Sequence, residues 1–305
     1  MVSEHLKTFL DKPVKDYDSS TPLDPENYVY RLSVEYDSEE TITGLLDTFA
    51  KDPKAGTVKE LIIGRFMSND DLSDDSADVV QKLADLSGIL ASLKALFIGD
   101  ITYEECEISW IKQTDMTPIL GTYPELEHLQ VRGSDGLTFT GLQHGGLKTL
   151  IVETGGLPPN VVEQVGSAHL PNLERLDLWL GSPNYGFDSK IEDFASILTG
   201  STFPKLTHLG LMDSEIEDDV AIAVAQAPIL NQLKTLDLSM GNLSDRGAAA
   251  LLANDAIRKL KSLNLRHHYL SDDMMAKFQG LGIAVNLDDQ EEAEEEDDRY
   301  AEVTE

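Results

Sequence analysis

LERLDL (173–178), LTHLGL (206–211), LKTLDL (233–238) and LKSLNL (260–265) share one pattern, L-x-x-L-x-L. Aliphatic variants of it are Val58-Leu61-Ile63, Leu93-Leu96-Ile98, Leu126-Leu129-Val131 and Leu147-Leu150-Val152. A pattern returning every 20–50 residues is the mark of a solenoid. One copy cannot bury its apolar face alone, so neighbours must stack. Strand alternation puts the three aliphatics on one face of each copy and the residues between them on the other.

Successive copies begin 35, 33, 21, 26, 33, 27 and 27 residues apart. A step of 27 leaves room for a full helix opposite the strand, and a step of 21 for little more than a turn. The long steps predict insertions at 101–117 and 181–190. Helix starts are legible as an apolar residue followed by serine and acids: Leu72-Ser73-Asp74-Asp75, Ile216-Glu217-Asp218-Asp219, Leu243-Ser244-Asp245 and Leu270-Ser271-Asp272-Asp273. A serine oxygen accepts from an orphan helix N–H, and first-turn acids suit the positive end of the helix dipole. Much of the acidity therefore has a structural cause.

Outside the repeats, 1–27 reads as a short helix and an irregular lead-in, and YVYRLSVEY (28–36) as a degenerate first strand that caps the stack. IAVNL (283–287) reads as the closing edge strand. The solenoid thus spans 28–287, and 288–305 forms an acidic tail. Its run DDQEEAEEEDD (288–298) holds nine acids and no base, a composition expected to stay disordered. RYAEVTE (299–305) restores an aromatic and a valine, so the tail is more than a solubility feature.

The whole chain of 305 residues carries 24 basic and 55 acidic side chains, a formal charge of −31. Nucleic acid needs a basic stripe and an anionic membrane needs a basic face, so neither is an expected partner. Basic proteins fit the charge better. One cysteine, Cys106, permits no internal disulfide. MVSEHLKTFLDKPVKDYD has no apolar run of signal-peptide length, and no stretch approaches the roughly 20 apolar residues of a membrane helix. The cytoplasm is the expected compartment and a monomer the expected state.

The L-x-x-L-x-L frame, with Leu243 and Gly247 downstream, resembles the ribonuclease-inhibitor-like leucine-rich repeats. That resemblance implies an α/β fold: a curved, right-handed β/α horseshoe of about 8–10 irregular repeats. A parallel sheet would line its concave side and helices its convex side. The family pattern places Asn or Cys three residues after the last strand leucine. Here Ile101, Ser134, Gly155, Gly181, Ser214, Gly241 and His268 stand there, so the ladder joining turn to turn is expected to be weak or differently made, and the curvature irregular. The chain is also similar to a bacterial family of cytoplasmic leucine-rich-repeat proteins through 31–40, 99–111, 176–181, 265–274 and Arg299-Tyr300. That likeness transfers no functional residue.

The outward residues carry the only site expectation. One column holds Ser33, Ile62, Phe97, Gln130, Ile151, Asp177, Gly210, Asp237 and Asn264; the next holds Glu35, Gly64, Gly99, Arg132, Glu153, Trp179, Met212, Ser239 and Arg266. Ile62, Phe97, Ile151, Trp179 and Met212 predict an apolar band beside Arg132 and Arg266, and tryptophan and arginine are common hot-spot anchors. Asp177 and His267 complete the expected partner-binding set. The competing expectation is that the insertions fold over Phe97 and Trp179. Gly64, Gly99 and Gly210 read either as places where the sheet lies open to close approach or as relics of repeat decay.

Asp100, Glu104, Glu105 and Glu107 surround Cys106, but neighbours on an extended segment diverge, so no metal site is expected. His128, His208 and His267 sit on separate strands, without the geometry of a catalytic set. No cofactor motif occurs. The sequence predicts a non-catalytic scaffold that binds a protein on its concave face. The alternatives are an acidic binder or decoy of a basic protein, and a regulator of a nucleotide-hydrolysing partner, since Ran GTPase-activating proteins also join a leucine-rich horseshoe to an acidic tail.

Overall fold

The computed structural model describes residues 2–36, 38–67, 74–295 and 298–303. Among them, one sheet of twelve strands runs in strict chain order, β1 to β12. The repeat strands are β4 (Glu60–Ile63), β5 (Ala95–Ile98), β6 (His128–Arg132), β7 (Thr149–Glu153), β8 (Arg175–Gly181), β9 (His208–Ser214), β10 (Thr235–Asp237) and β11 (Ser262–Asn264). β3 (Val29–Leu32) and β12 (Ala284–Asn286) flank them, and all of these pair in parallel. Register is in step: Leu61, Leu96, Leu129, Leu150, Leu176, Leu209, Leu236 and Leu263 pair in sequence.

Every aliphatic of the eight repeats is at most 4% exposed, and all belong to one continuous core. Full burial of such a side chain stabilises by about 1.5–3 kcal/mol. The fold is therefore the α/β leucine-rich-repeat solenoid that the pattern predicts, with an open sheet on one side and helices on the other.

Helices α1 (Glu217–Gln226), α2 (Asp245–Ala253) and α3 (Asp272–Gln279) begin at the expected acids. Ser244 and Ser271 cap α2 and α3, accepting from Arg246 N and Met274 N. Leu72 and Ser73 of the other expected start lie outside the described residues.

The acids do more than meet the helix dipole. Asp218 accepts from Ser244 N (2.8 Å), Ser244 Oγ (2.6 Å) and Gly247 N (3.0 Å) of the next repeat. Asp245 accepts from Ser271 N and Ser271 Oγ one repeat on, and Asp272 from Gln290 Nε2. This carboxylate ladder ties repeat to repeat, and Asn242 adds to it by donating to Glu215 O (2.6 Å) and accepting from Glu217 N (3.2 Å). At the family's own ladder position, His268 uses Nε2 on Leu287 O, and Ser134 bonds Thr154 Oγ1 and Gly156 O.

The N-terminal end departs from the sequence reading. Residues 8–16 are not helical: β1 (Thr8–Phe9) and β2 (Lys12–Asp16) form a hairpin whose second strand extends the sheet beyond β3. Its two-residue loop, Leu10-Asp11, has both φ positive (47° and 67°), the geometry of a tight hairpin turn that Asn-Gly normally signals. Without that signal the hairpin is not legible. At the other end, described residues of the acidic segment meet the last repeats. Gln290 bridges His268, and Ala301 and Val303 are 1% and 4% exposed against the last repeats.

Candidate functional site: the outward face of the sheet

The outward face is covered at its first third. Phe9 seats on Phe97, Ile62, Ala95 and Val29, with Leu6 and Val14 beside it, in a second apolar cluster separate from the main core. Phe97 and Ile62 are wholly buried, so the predicted apolar band does not extend to them. Neither insertion provides the cover; residues 6–14 do. Phe9 also meets His128 edge-on at 5.1 Å, and burial pushes that imidazole down to about 4.

Arg132 is likewise not a free anchor. It is 3% exposed, donates Nε to Glu153 (2.7 Å) and Nη1 to Ile101 O (2.9 Å), and lies 5.2 Å from the centre of the Phe97 ring. Asp100, wholly buried, accepts from Arg31 and from Leu6 N. The acidic cluster is dispersed in the same way, since Glu105 accepts from Thr102. Burial raises the Cys106 thiol. Among the described residues no group of His, Cys, Asp and Glu converges on a metal position. Gly99 and Gly64 do not open the sheet either: a Cβ on Gly99 would stand 2.6 Å from Arg132 O, and one on Gly64 2.8 Å from Ser33 Cβ.

The floor changes at β8 and β9. Trp179 and Met212 pair in register across these strands, and both are half-buried. Beside them Asp177 accepts from Arg175 Nε (2.7 Å) and pairs with His208 Nε2 (2.7 Å). Burial pushes the Asp177 carboxyl up, but His208 and Arg175 outweigh burial and hold it below its ordinary range. A Cβ on Gly210 would stand 2.5 Å from Asp177 Oδ1, so the network requires glycine there. Farther along, Asp237 joins Ser239 and Asn264. Ile151, 9% exposed, closes the near side of this floor.

The remaining expected residues meet the tail. Arg266 pairs with Asp289 (2.6 Å) and with Glu302. His267 is buried, touches Gly241 O through Nδ1 and faces the rings of Tyr269 and Tyr300. Of the expected set, Trp179 and Met212 alone come together on open floor. Asp177 is buried beside them in its ion pairs, and Phe97, Arg132, Arg266 and His267 are engaged elsewhere.

Arg175 was missed because it lies before the last two leucines, outside both columns. Trp110, 59% exposed on the turn 108–110 of the first insertion, was missed because insertions carry no periodicity.

Fold and floor together define a leucine-rich-repeat solenoid with a partly roofed sheet. A solved protein from Bacteroides fragilis, a structural-genomics target, is 33% identical and superposes with a TM-score of 0.83 over 90% of this chain and 77% of its own. The chain belongs to the same family as that protein. An internalin from Listeria monocytogenes is 16% identical, with a TM-score of 0.39 over 86% of this chain and 68% of its own. No family model and no curated protein matches. Among the described residues no helix is long and apolar enough to cross a membrane.

Proposed function

We propose that this protein is a non-catalytic interaction scaffold that holds a protein partner on the open floor over β8–β10. The observation that carries this reading is the in-register pair Trp179 and Met212, half-buried between a roofed stretch and a strapped rim. Large apolar side chains on an otherwise polar floor need a covering surface, and tryptophan is the residue most often found at the centre of one. Arg175, His208 and Asp237 supply polar groups around the anchor. Ribonuclease-inhibitor-like repeats, the cytoplasm and a monomeric state complete the reading; helices opposite the last repeats and the lone thiol support the first two.

The test is titration calorimetry with a partner captured on the intact chain. Trp179→Ala is expected to weaken binding by roughly thirtyfold, equivalent to about 2 kcal/mol. Unchanged affinity sinks the floor as the site. The formal −31 charge favours a second reading, in which the acidic surface holds a basic protein. That reading requires binding to collapse at moderate salt, because exposed charges are screened beyond about 8 Å at physiological ionic strength.

A further inference from the structure

The tail does not merely end near the sheet; it crosses back over three strands along the rim where they exit. Tyr300 packs against His267 and Tyr269, ring centres 5.7 and 6.3 Å apart, and its N–H donates to Tyr269 Oη (3.2 Å). Glu302 N donates to Met240 O (2.8 Å), its carboxylate pairs with Arg266, and Val303 N donates to Asp213 Oδ1 (2.8 Å). Ala301 and Val303 are almost fully buried, whereas Tyr300 is 54% exposed. The segment thus uses every second side chain as a plug and its backbone as a donor, the way an extended peptide ligand is held.

The rim is shaped for this. Asp213, Met240 and His267 stand two residues beyond the last strand leucine of three consecutive repeats. All three are left-handed, with φ of 54°, 71° and 57°. Left-handed non-glycine backbone is strained and gathers at ligand clamps. Among the described residues Glu292, Ala293 and Glu294 make no hydrogen bond, and Glu295 O accepts from Asp298 N (3.2 Å) within the segment itself. A cavity of about 460 Å³ lies between 290–293, Arg299 and the rim at Ser244, Tyr269 and Ser271. Like charges along the arch repel one another as well.

We propose that the groove along the strand-exit rim of β9–β11 is a peptide-docking site that residues 299–303 fill in cis. Its partner is an extended protein segment presenting, in order, an aromatic, a small, an acidic and a β-branched aliphatic residue. The idea rests on the scaffold reading and adds the mode of recognition and its control. A site already filled by its own chain has an apparent affinity reduced by the fraction of time it is empty. A partner segment therefore binds by displacing the tail, and its acid takes over Arg266 from Glu302.

The test uses the full chain and a fluorescent peptide of sequence DRYAEVTE, read by anisotropy. Val303→Asp puts a charge in the buried plug position and unseats the tail. The variant is expected to bind the peptide roughly tenfold or more tighter than the unaltered protein. Adding Arg266→Glu should abolish that binding, and a peptide with Glu302→Lys should restore it. Trp179→Ala should leave it unchanged, which separates this site from the floor. A Val303→Asp protein that keeps its circular-dichroism spectrum and ignores the peptide overturns the proposal. Hydrogen exchange on the unaltered protein needs no variant: the amides of Glu302 and Val303 should exchange faster than those of β9–β11, and equal protection makes the strap permanent and overturns the idea. A dimer in light scattering that Val303→Asp dissolves would make a second copy the occupant, which also overturns it.

Discussion

Over β3–β6 the outward face of the sheet is interior; over β8–β10 it is surface. At the first, Phe97 is wholly buried beneath Phe9, and Arg132 spends its donors on Glu153 and Ile101. At the second, Trp179 and Met212 are partly exposed beside a charged network. The repeat pattern treats these places alike. What separates them is residues 6–14, which the pattern does not include. Outward means accessible in a repeat protein only where nothing outside the repeats lies on top.

The comparison can be broken most severely at Phe97. Phe97→Ala should cost about 3–5 kcal/mol, the range for a buried aromatic that leaves a cavity, and chemical denaturation measures it. A loss under 1 kcal/mol would mean that the hairpin does not seal this end. Arg132→Ala should cost a similar or slightly smaller amount, about 3 kcal/mol, because Glu153 is left charged and buried. The double change Arg132→Met with Glu153→Met should recover most of it, since two apolar side chains leave no uncompensated charge.

A smaller effect is expected at Glu217, on the far side of the rim. Its carboxyl is fully buried without a hydrogen bond, and burial first, then Asp237, Asp218 and Asp213, push it well above the usual range. The folded protein therefore keeps a proton that the unfolded chain releases near 4.5. Unfolding becomes easier as pH rises from that value through the raised one. Glu217→Gln does not titrate, so its melting temperature relative to the unaltered protein should climb as pH rises above about 4.5. A constant difference would show that Glu217 is not the group responsible. The smallest stability effect belongs to Trp179→Ala, about 1 kcal/mol or less in the same denaturation assay. A loss comparable with that at Phe97 would make Trp179 a core residue.

Much of the fold was legible because burial imposes a period. The eight aliphatic triplets, the closing strand near 284 and the helix starts at Ser244 and Ser271 follow from alternation and capping. The carboxylate ladder was written in the chain too, as Asp218, Asp245 and Asp272 at steps of 27, but acids at helix starts have a nearer explanation in the dipole. The site was less legible. Trp179 and Met212 could be placed on the outward face, whereas the burial of Phe97 depends on a turn at Leu10-Asp11 with no sequence signature. Val303 and Tyr300 were visible as an oddity in an acidic tail, and their docking place was not, because a contact between Val303 and Asp213 spans 90 residues and has no period.

A one-dimensional array frays from its ends, since a terminal unit has a neighbour on one side only. Here each end is clamped to a distant interior unit. Residues 5 and 6 hold Asp100, 95 and 94 positions away, and Val303 holds Asp213. Such contacts raise the loop entropy that must be overcome before the chain is complete, and slow its folding. Once made, they convert a zipper into two closed loops. Peeling β12 away then requires that the strap let go first, and unfastening at one end leaves the other end's loop intact.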